Sequence, residues 1–428
     1  MESSTIALII IGAMMVLYVT EIIPLATTSL LGCLAFAAFG VIPFGDVFKG
    51  FGNDIVFVIV GMIVVGEALF ETGAASLIGN RIISVVGTNE RAFLAAAVIV
   101  IIPISTFVSN TATVAMMLPI AASAVAASGG KLKKKDTYMI IAIMSIVAGS
   151  LTLVGSTPQL IAQGLLLEGG YRPIGFFELS YVGVPICLLC VAFVMTIGHT
   201  LKKKIFNFPE DEDENRRALP ADEGAKPRTR KDILGMCMAS AILVYCVIGF
   251  ITGLWTLGIV AMTGAVLCIV TGCVSQKRVF EKMSWSTVVI MGCSFGIASG
   301  LEQSGAGRLI AYGMISLLGD HITPWLFCAA LSLVAMIITN LLSSTATAAL
   351  LVPIAALAAL ELDYSVRAAV IAVAIASNLG FSTPIATPPL TMALAGGYRF
   401  VDYVKFGGIF NILVYILLVA MIPFIINL

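Results

Sequence analysis

The chain has 428 residues, of which 59% are hydrophobic and only 11% charged, and its 24 basic and 24 acidic side chains cancel. Soluble domains carry about a quarter of their residues charged, so this composition excludes an ordinary water-soluble fold and puts the chain in lipid. With the charges in balance nothing suggests nucleic acid, and no such partner is expected.

In chain order, the first apolar run covers 5–20. No Lys or Arg precedes it, whereas a secretory leader wants a basic start and a small-residue cleavage site; the run reads as a retained helix. Crossing the hydrocarbon core takes about 20 apolar residues. Further spans fall at 25–42, 54–72, 137–168, 178–201, 233–251, 255–272, 285–303, 365–397 and 405–427. Two more apolar stretches, 94–128 and 324–360, are split by polar clusters. Their halves hold roughly 15 residues, or about 22 Å of helix, short of a core about 30 Å thick. They read as re-entrant hairpins that turn at their polar tips. The segment 202–232, with nine Lys and Arg and the acidic run Glu210–Glu214, reads as a solvated cytoplasmic linker. With the N-terminus outside, 20 basic residues fall on the cytoplasmic side and four outside, as the positive-inside rule requires.

The halves repeat each other. Ser109-Asn110-Thr111-Ala112-Thr113 runs on to Pro119-Ile120-Ala121-Ala122, and Ser343-Ser344-Thr345-Ala346-Thr347 runs on to Pro353-Ile354-Ala355-Ala356; nine of these fourteen aligned positions are identical at an offset of 234. Leu69–Ala74 pairs with Leu301–Ala306 at 232, and Gly155–Pro158 with Ala386–Pro389 at 231. Three elements at nearly one offset mark a duplication: residues 1–201 form the first repeat and 233–428 the second. Each repeat has about five transmembrane helices and one hairpin, so the second copy inserts upside down and the hairpin tips converge near the midplane. The expected fold is an all-α polytopic membrane protein of two inverted repeats.

Unpaired polar groups in hydrocarbon cost several kcal/mol each, so a Ser-Asn-Thr cluster inside an apolar stretch needs partners. Close helix packing would account for one such cluster, but two copies, each followed by a broken helix, point to binding. Pro158, Pro384, Pro388 and Pro389 remove backbone donors, and Gly149, Gly155 and Gly380 are expected to relax the chain. Freed carbonyls suit a hard cation such as Na⁺, and helix N-termini suit a carboxylate or sulfate. Ser109, Asn110, Thr111, Ser344 and Thr345 complete a neutral, donor-rich cradle with no Lys or Arg at either tip. Anion charge must then be balanced by dipoles and a co-bound cation, which is how coupling arises.

Other features weigh less. Glu67, with Glu71 one turn later, is the best proton-relay candidate but sits near a span end; His199 and His321 are also near span ends. Cys187 and Cys190 form a lone CxxC on an apolar helix and read as small core residues. Gly292-Cys293-Ser294-Phe295-Gly296 matches a hydrolase nucleophile motif that belongs after a strand, whereas here it lies in a helix. The chain is not expected to be an enzyme. A channel is the remaining class, and counterflow separates it from a carrier.

These motifs resemble the divalent anion–sodium symporter family, part of a superfamily of di- and tricarboxylate, citrate, sulfate and arsenite carriers. Ala148–Pro158 is similar to its first signature and Asn378–Pro389 to its second. The resemblance implies substrate contacts at Ser109, Asn110, Thr111, Ser343, Ser344, Thr345, Thr157 and Pro388. It implies one sodium site at Ser105, Ser109, Asn110 and Gly155, and another at Thr339, Leu342, Ser344 and Ala386. It further implies a homodimer in lipid with an elevator motion, in the inner or cell membrane of a bacterial or archaeal type of cell. The function so implied is Na⁺-coupled symport of a C4-dicarboxylate; the alternative is dicarboxylate exchange, or carriage of sulfate or citrate with H⁺ or no cation. The sequence departs from the family at Ser344, usually Asn, and at Gln159 and Leu390, where an Asn usually follows each break.

Overall fold

The computed structural model describes residues 2–74, 89–128, 131–208, 230–306, 309–310, 313 and 322–427, and among these there is no strand. Helices α1 (Ser3–Thr20) and α2 (Leu25–Ala38) are joined across their interface by a buried bond between Tyr18 Oη and Ser29 Oγ, 2.8 Å long. Two short 3₁₀ turns then lead, with a 42° bend, into α3 (Asp54–Glu71), where Asn53 caps the first turn through Ile55 N–H.

The first hairpin is α4 (Glu90–Phe107) and α5 (Asn110–Ala127), with only Val108 and Ser109 between them. Both arms pack lengthwise on α6 (Lys134–Ala148). A straight rod could not run both its halves along one helix of 15 residues, so the chain turns back at the tip. After a break, α7 (Thr157–Glu168) continues, followed by α8 (Ser180–Met195) and, past a 59° bend, α9 (Ile197–Ile205).

The second half reproduces this order: α10 (Arg230–Thr252), α11 (Leu257–Val270), α12 (Gln276–Lys282) and α13 (Trp285–Ser304), then the hairpin α14 (Pro324–Thr339) and α15 (Ser344–Glu361) on α16 (Val366–Asn378). A break leads to α17 (Pro388–Ala393), and α18 (Gly408–Asn427) closes the chain. The bounds of α2 and α11 differ by 232 at both ends, and those of α5 and α15 by 234.

The repeats interlock. Helix α3 packs along α11, and α13 along α2, so each copy's third helix lies against the other copy's second. Small residues permit this: a Cβ on Gly61 would stand 2.5 Å from the Ala261 backbone, and Cβ atoms on Gly292 and Gly300 would each meet a Phe ring, Phe51 and Phe36, at 2.7 Å. Likewise α7 packs on α15 and α16, and α17 on α5 and α6. One end of this unit is clamped by Arg367, which reaches Glu178 Oε1 at 2.5 Å and Arg172 O at 3.2 Å. At the other, Tyr398 Oη donates to Lys135 O at 2.7 Å and accepts from Met139 N–H at 3.0 Å.

Three expectations need correcting. The hairpin arms have 18, 18, 16 and 18 residues rather than about 15, because Asn110 and Ser344 begin helices instead of belonging to a loop. The linker is not solvated from its start: 202–205 belong to α9, and Lys202 is 0% exposed, with Nζ 2.5 Å from Glu90 Oε1 and 2.9 Å from Asp136 O. Burying the lysine stem and pairing its charge makes this placement possible. Gly149 has φ −61 and ψ −16, an ordinary helical conformation, so its use is space rather than backbone freedom. The linker segment 209–229 and His321 lie outside the described residues.

Candidate functional site

The first cradle forms where the α5 tip meets the end of α6. Ser109 is the N-cap of α5, its Oγ accepting from Ala112 N–H at 3.2 Å. Asn110 follows, half-buried, and Ser109 and Thr111 are exposed. One turn back in α4, the fully buried Ser105 Oγ lies 2.9 Å from Asn110 Oδ1, 2.8 Å from Ser145 O and 2.9 Å from Ser145 Oγ. Ser145 Oγ in turn lies 2.9 Å from Asn110 O. One hydroxyl proton cannot serve several acceptors at once, so these oxygens turn unused lone pairs towards one another. A Cβ on Gly149 would stand 2.3 Å from Asn110 Oδ1, and one on Gly155 would stand 2.3 Å from Gly149 O. Both glycines are there because nothing larger fits.

The second cradle repeats the plan. Ser343 caps α15 through Ala346 N–H at 3.2 Å, and Ser344 and Thr345 begin the helix. Thr339 stands at the repeat position of Ser105, and its Oγ1 donates to Ser377 O at 2.6 Å, as Ser105 approaches Ser145 O. Thr383 Oγ1 donates to Asn340 O at 2.5 Å, and its counterpart Thr152 Oγ1 donates to Thr106 O at 2.5 Å. Ser344 N–H donates to Ala386 O at 3.1 Å. Leu342 is buried, with its N–H on Ile338 O at 2.8 Å.

Each break ends in a helix N-terminus of the same shape. Ser156 (φ −148, ψ 153) precedes α7 and Thr387 (φ −150, ψ 146) precedes α17; neither side chain caps its helix. Both hydroxyls are buried without a hydrogen-bond partner among the described residues. Thr157, half-buried, and Pro388, exposed, open the two helices. Thus Ser105, Asn110 and Gly155 come together around Gly149, while Thr339, Ser344 and Ala386 come together around Gly380. The side chains of Thr111 and Thr345 make no hydrogen bond among the described residues.

Sequence reasoning missed Ser145 and Ser377, and it carried Thr152, Ser156, Thr383 and Thr387 only within the signature strings, without a role of their own. The signal was present: Ala142-Ile143-Met144-Ser145 and Ala374-Ile375-Ala376-Ser377 align at an offset of 232. Among the described residues no cluster of His, Cys, Asp or Glu could hold a metal, so the cradles offer only neutral oxygens and amides.

A family model described as "Citrate transporter" matches residues 15–372. The chain belongs to that family. It is 25% identical to sodium-dependent high-affinity dicarboxylate transporter 3 of Caenorhabditis elegans, over 93% of this chain and 79% of that protein. It is 24% identical to the sodium-dependent dicarboxylate transporter SdcS of Staphylococcus saprophyticus, over 89% and 78%. The YdaH transporter of Alcanivorax borkumensis shares the fold with a TM-score of 0.57 at 14% identity, over 93% of this chain and 87% of that one. MtrF of Neisseria gonorrhoeae does so at 0.56 and 13%, over 99% and 94%.

The citrate transporter family and these sodium-dependent dicarboxylate relatives bear out the resemblance to divalent anion–sodium symporters. The protein is an integral membrane transporter of the citrate transporter family, not an enzyme. Ser294 fits this: it is buried in α13, and its Oγ donates to Met291 O at 2.7 Å. Glu67 and Glu71 both approach Arg278, at 3.5 and 2.9 Å, and His199 approaches Glu90 at 3.4 Å.

Proposed function

We propose that this transporter is a sodium-coupled symporter of a C4-dicarboxylate such as succinate, malate or fumarate. The observation that carries the reading is the pair of neutral cradles, each joining a hairpin tip to a broken helix through the same hydroxyl-to-carbonyl contact. Hydroxyl and carbonyl oxygens are the donors a hard cation takes. In the first cradle Ser105 Oγ, Asn110 Oδ1 and Ser145 O would hold one Na⁺. In the second, Thr339 Oγ1, Leu342 O and Ala386 O would hold another. The anion would lie between the tips, its carboxylates facing the N-termini of α5, α7 and α15 and the free hydroxyls of Ser156 and Thr387. Without a basic side chain at the site, the bound sodium ions supply the opposing charge, and anion affinity then rises with cation occupancy.

Residues 1–201 and 233–428 act as the two inverted halves, with 202–232 as the link between them. The moving unit is α4–α7 with α14–α17, and the scaffold is α1–α3 with α10–α13, in a homodimer working as an elevator. A cavity of about 350 Å³ between α7, α15 and α13, lined by Leu165, Ser299, Glu302 and Pro353 among others, supports a sliding boundary there.

The test is a panel of labelled succinate, malate, fumarate, citrate and sulfate in proteoliposomes, with and without an inward sodium gradient at fixed pH. The reading expects concentrative dicarboxylate uptake only with the gradient. Sodium-independent exchange alone would refute it. The family's own description favours citrate as a second reading, and the same panel decides between them.

A further inference from the structure

Asn378 is the last residue of α16 and is 1% exposed. Its amide reaches out of its own repeat: Nδ2 donates to Ile146 O at 3.1 Å and to Ser150 Oγ at 2.8 Å. Continuing the alignment at offset 232 makes Ile146 the repeat counterpart of Asn378. The two cradles therefore meet where equivalent positions face each other, and only the second copy carries a polar side chain there.

The neighbours give this contact its meaning. Ser145 O, one peptide unit before Ile146, faces Ser105 Oγ; Ser377 O, one unit before Asn378, accepts from Thr339 Oγ1. A continuous path thus runs from Ser105 through Ser145 and Ile146 to Asn378, Ser377 and Thr339. Ser150, the other acceptor, follows Gly149, whose Cα packs against the Asn110 amide. Because a peptide unit is planar and rigid, any turn of the Ser377 carbonyl when its partner Thr339 Oγ1 takes up a cation tilts the base of the Asn378 side chain. The amide carries that tilt to Ile146 O and Ser150 Oγ. An amide buried this deeply must be bonded, and every bond found for Nδ2 lies across the repeat boundary. A leucine, which Leu379 next to it shows the core accepts, would fill the same volume without that demand.

We propose that Asn378 is a positioning residue that couples the two cation cradles, so that filling one raises the sodium affinity of the other. The proposal rests on the sodium-coupled reading above. The experiment measures initial uptake of labelled anion in proteoliposomes against sodium concentration, and against anion concentration at saturating sodium. The proteins are the wild type, Asn378→Leu and Ser150→Ala, which removes one acceptor from the opposite side.

The expected wild-type sodium curve is sigmoidal. In Asn378→Leu its Hill coefficient falls towards that of two independent ions, and half-saturating sodium rises about tenfold, within the usual range of coupling between sites. The anion KM at saturating sodium shifts less than about threefold, because coupling is lost rather than the anion site. Ser150→Ala moves the same way by a smaller factor. A Hill coefficient unchanged from wild type in both variants overturns the proposal, and so do equal rises in sodium and anion KM, which mark a merely structural tie. If both variants fail to give a monodisperse protein, Asn378 is a packing element and the proposal falls. A hyperbolic wild-type curve overturns it while leaving sodium coupling intact, whereas a flat one overturns the coupled reading itself.

Discussion

Replacing Gly149 by alanine tests the first cradle with a single added carbon. The new Cβ would stand 2.3 Å from Asn110 Oδ1, 2.8 Å from Nδ2 and 2.9 Å from Cγ. Non-bonded carbon contacts settle near 3.5 Å or more, so the amide has to retreat by roughly 1 Å. That movement breaks the 2.9 Å contact with Ser105 Oγ and withdraws the amide oxygen from the cation. Disturbing a buried hydrogen-bonded group costs about 1–3 kcal/mol, which at about 1.4 kcal/mol per decade raises half-saturating sodium roughly 5- to 150-fold. The helical backbone of Gly149 accepts alanine, so the protein should still assemble. Gly12→Ala in α1, where an added Cβ meets nothing within 4 Å, is the matched control. Uptake against sodium concentration is the assay. A Gly149→Ala protein whose sodium dependence stays within about twofold of the control would refute the steric argument.

Asn110→Ala removes the tip amide and should lower uptake at sub-saturating sodium by about tenfold or more, with expression unchanged; near-normal uptake would remove Asn110 from the site. Ser344→Asn restores the amide that the family carries at the second tip, and should alter cation dependence or the preference among anions in the labelled panel; a transporter unchanged in both would show that Ser344 does not line the site. Lys202→Met deprives the partly buried Glu90 of its 2.5 Å partner, leaving Lys203 and His199 at 3.4 Å, and should lower stability by about 1–3 kcal/mol. The double change Glu90→Gln with Lys202→Met should recover much of that loss, as read by thermal unfolding in detergent.

Much of this architecture can be read from the sequence. Hydrocarbon tolerates polar backbone only where it is satisfied, so a Ser-Asn-Thr cluster inside an apolar run announces a turn, and its second copy announces the repeat. Ser145 and Ser377 could not be singled out this way, because one hydroxyl inside an apolar helix commonly bonds its own backbone. Their importance lies in partners from another helix, Ser105 and Thr339. The burial of Lys202 was hidden for the same reason: a run of lysines reads as solvated until Glu90 is seen beside it. The glycines were legible as breaks, but which of them makes room for Asn110 depends on three-dimensional contact.

The exchange of helices between the copies, α3 against α11 and α13 against α2, means that neither half owns a complete interior. A chain cut within 209–229 yields two fragments that are each left with bare surfaces, and each should be degraded when made by itself. Made together in one cell, the fragments can clasp and restore a working carrier. Any single-copy forerunner of such a molecule would have needed a companion threaded through the bilayer in the opposite sense.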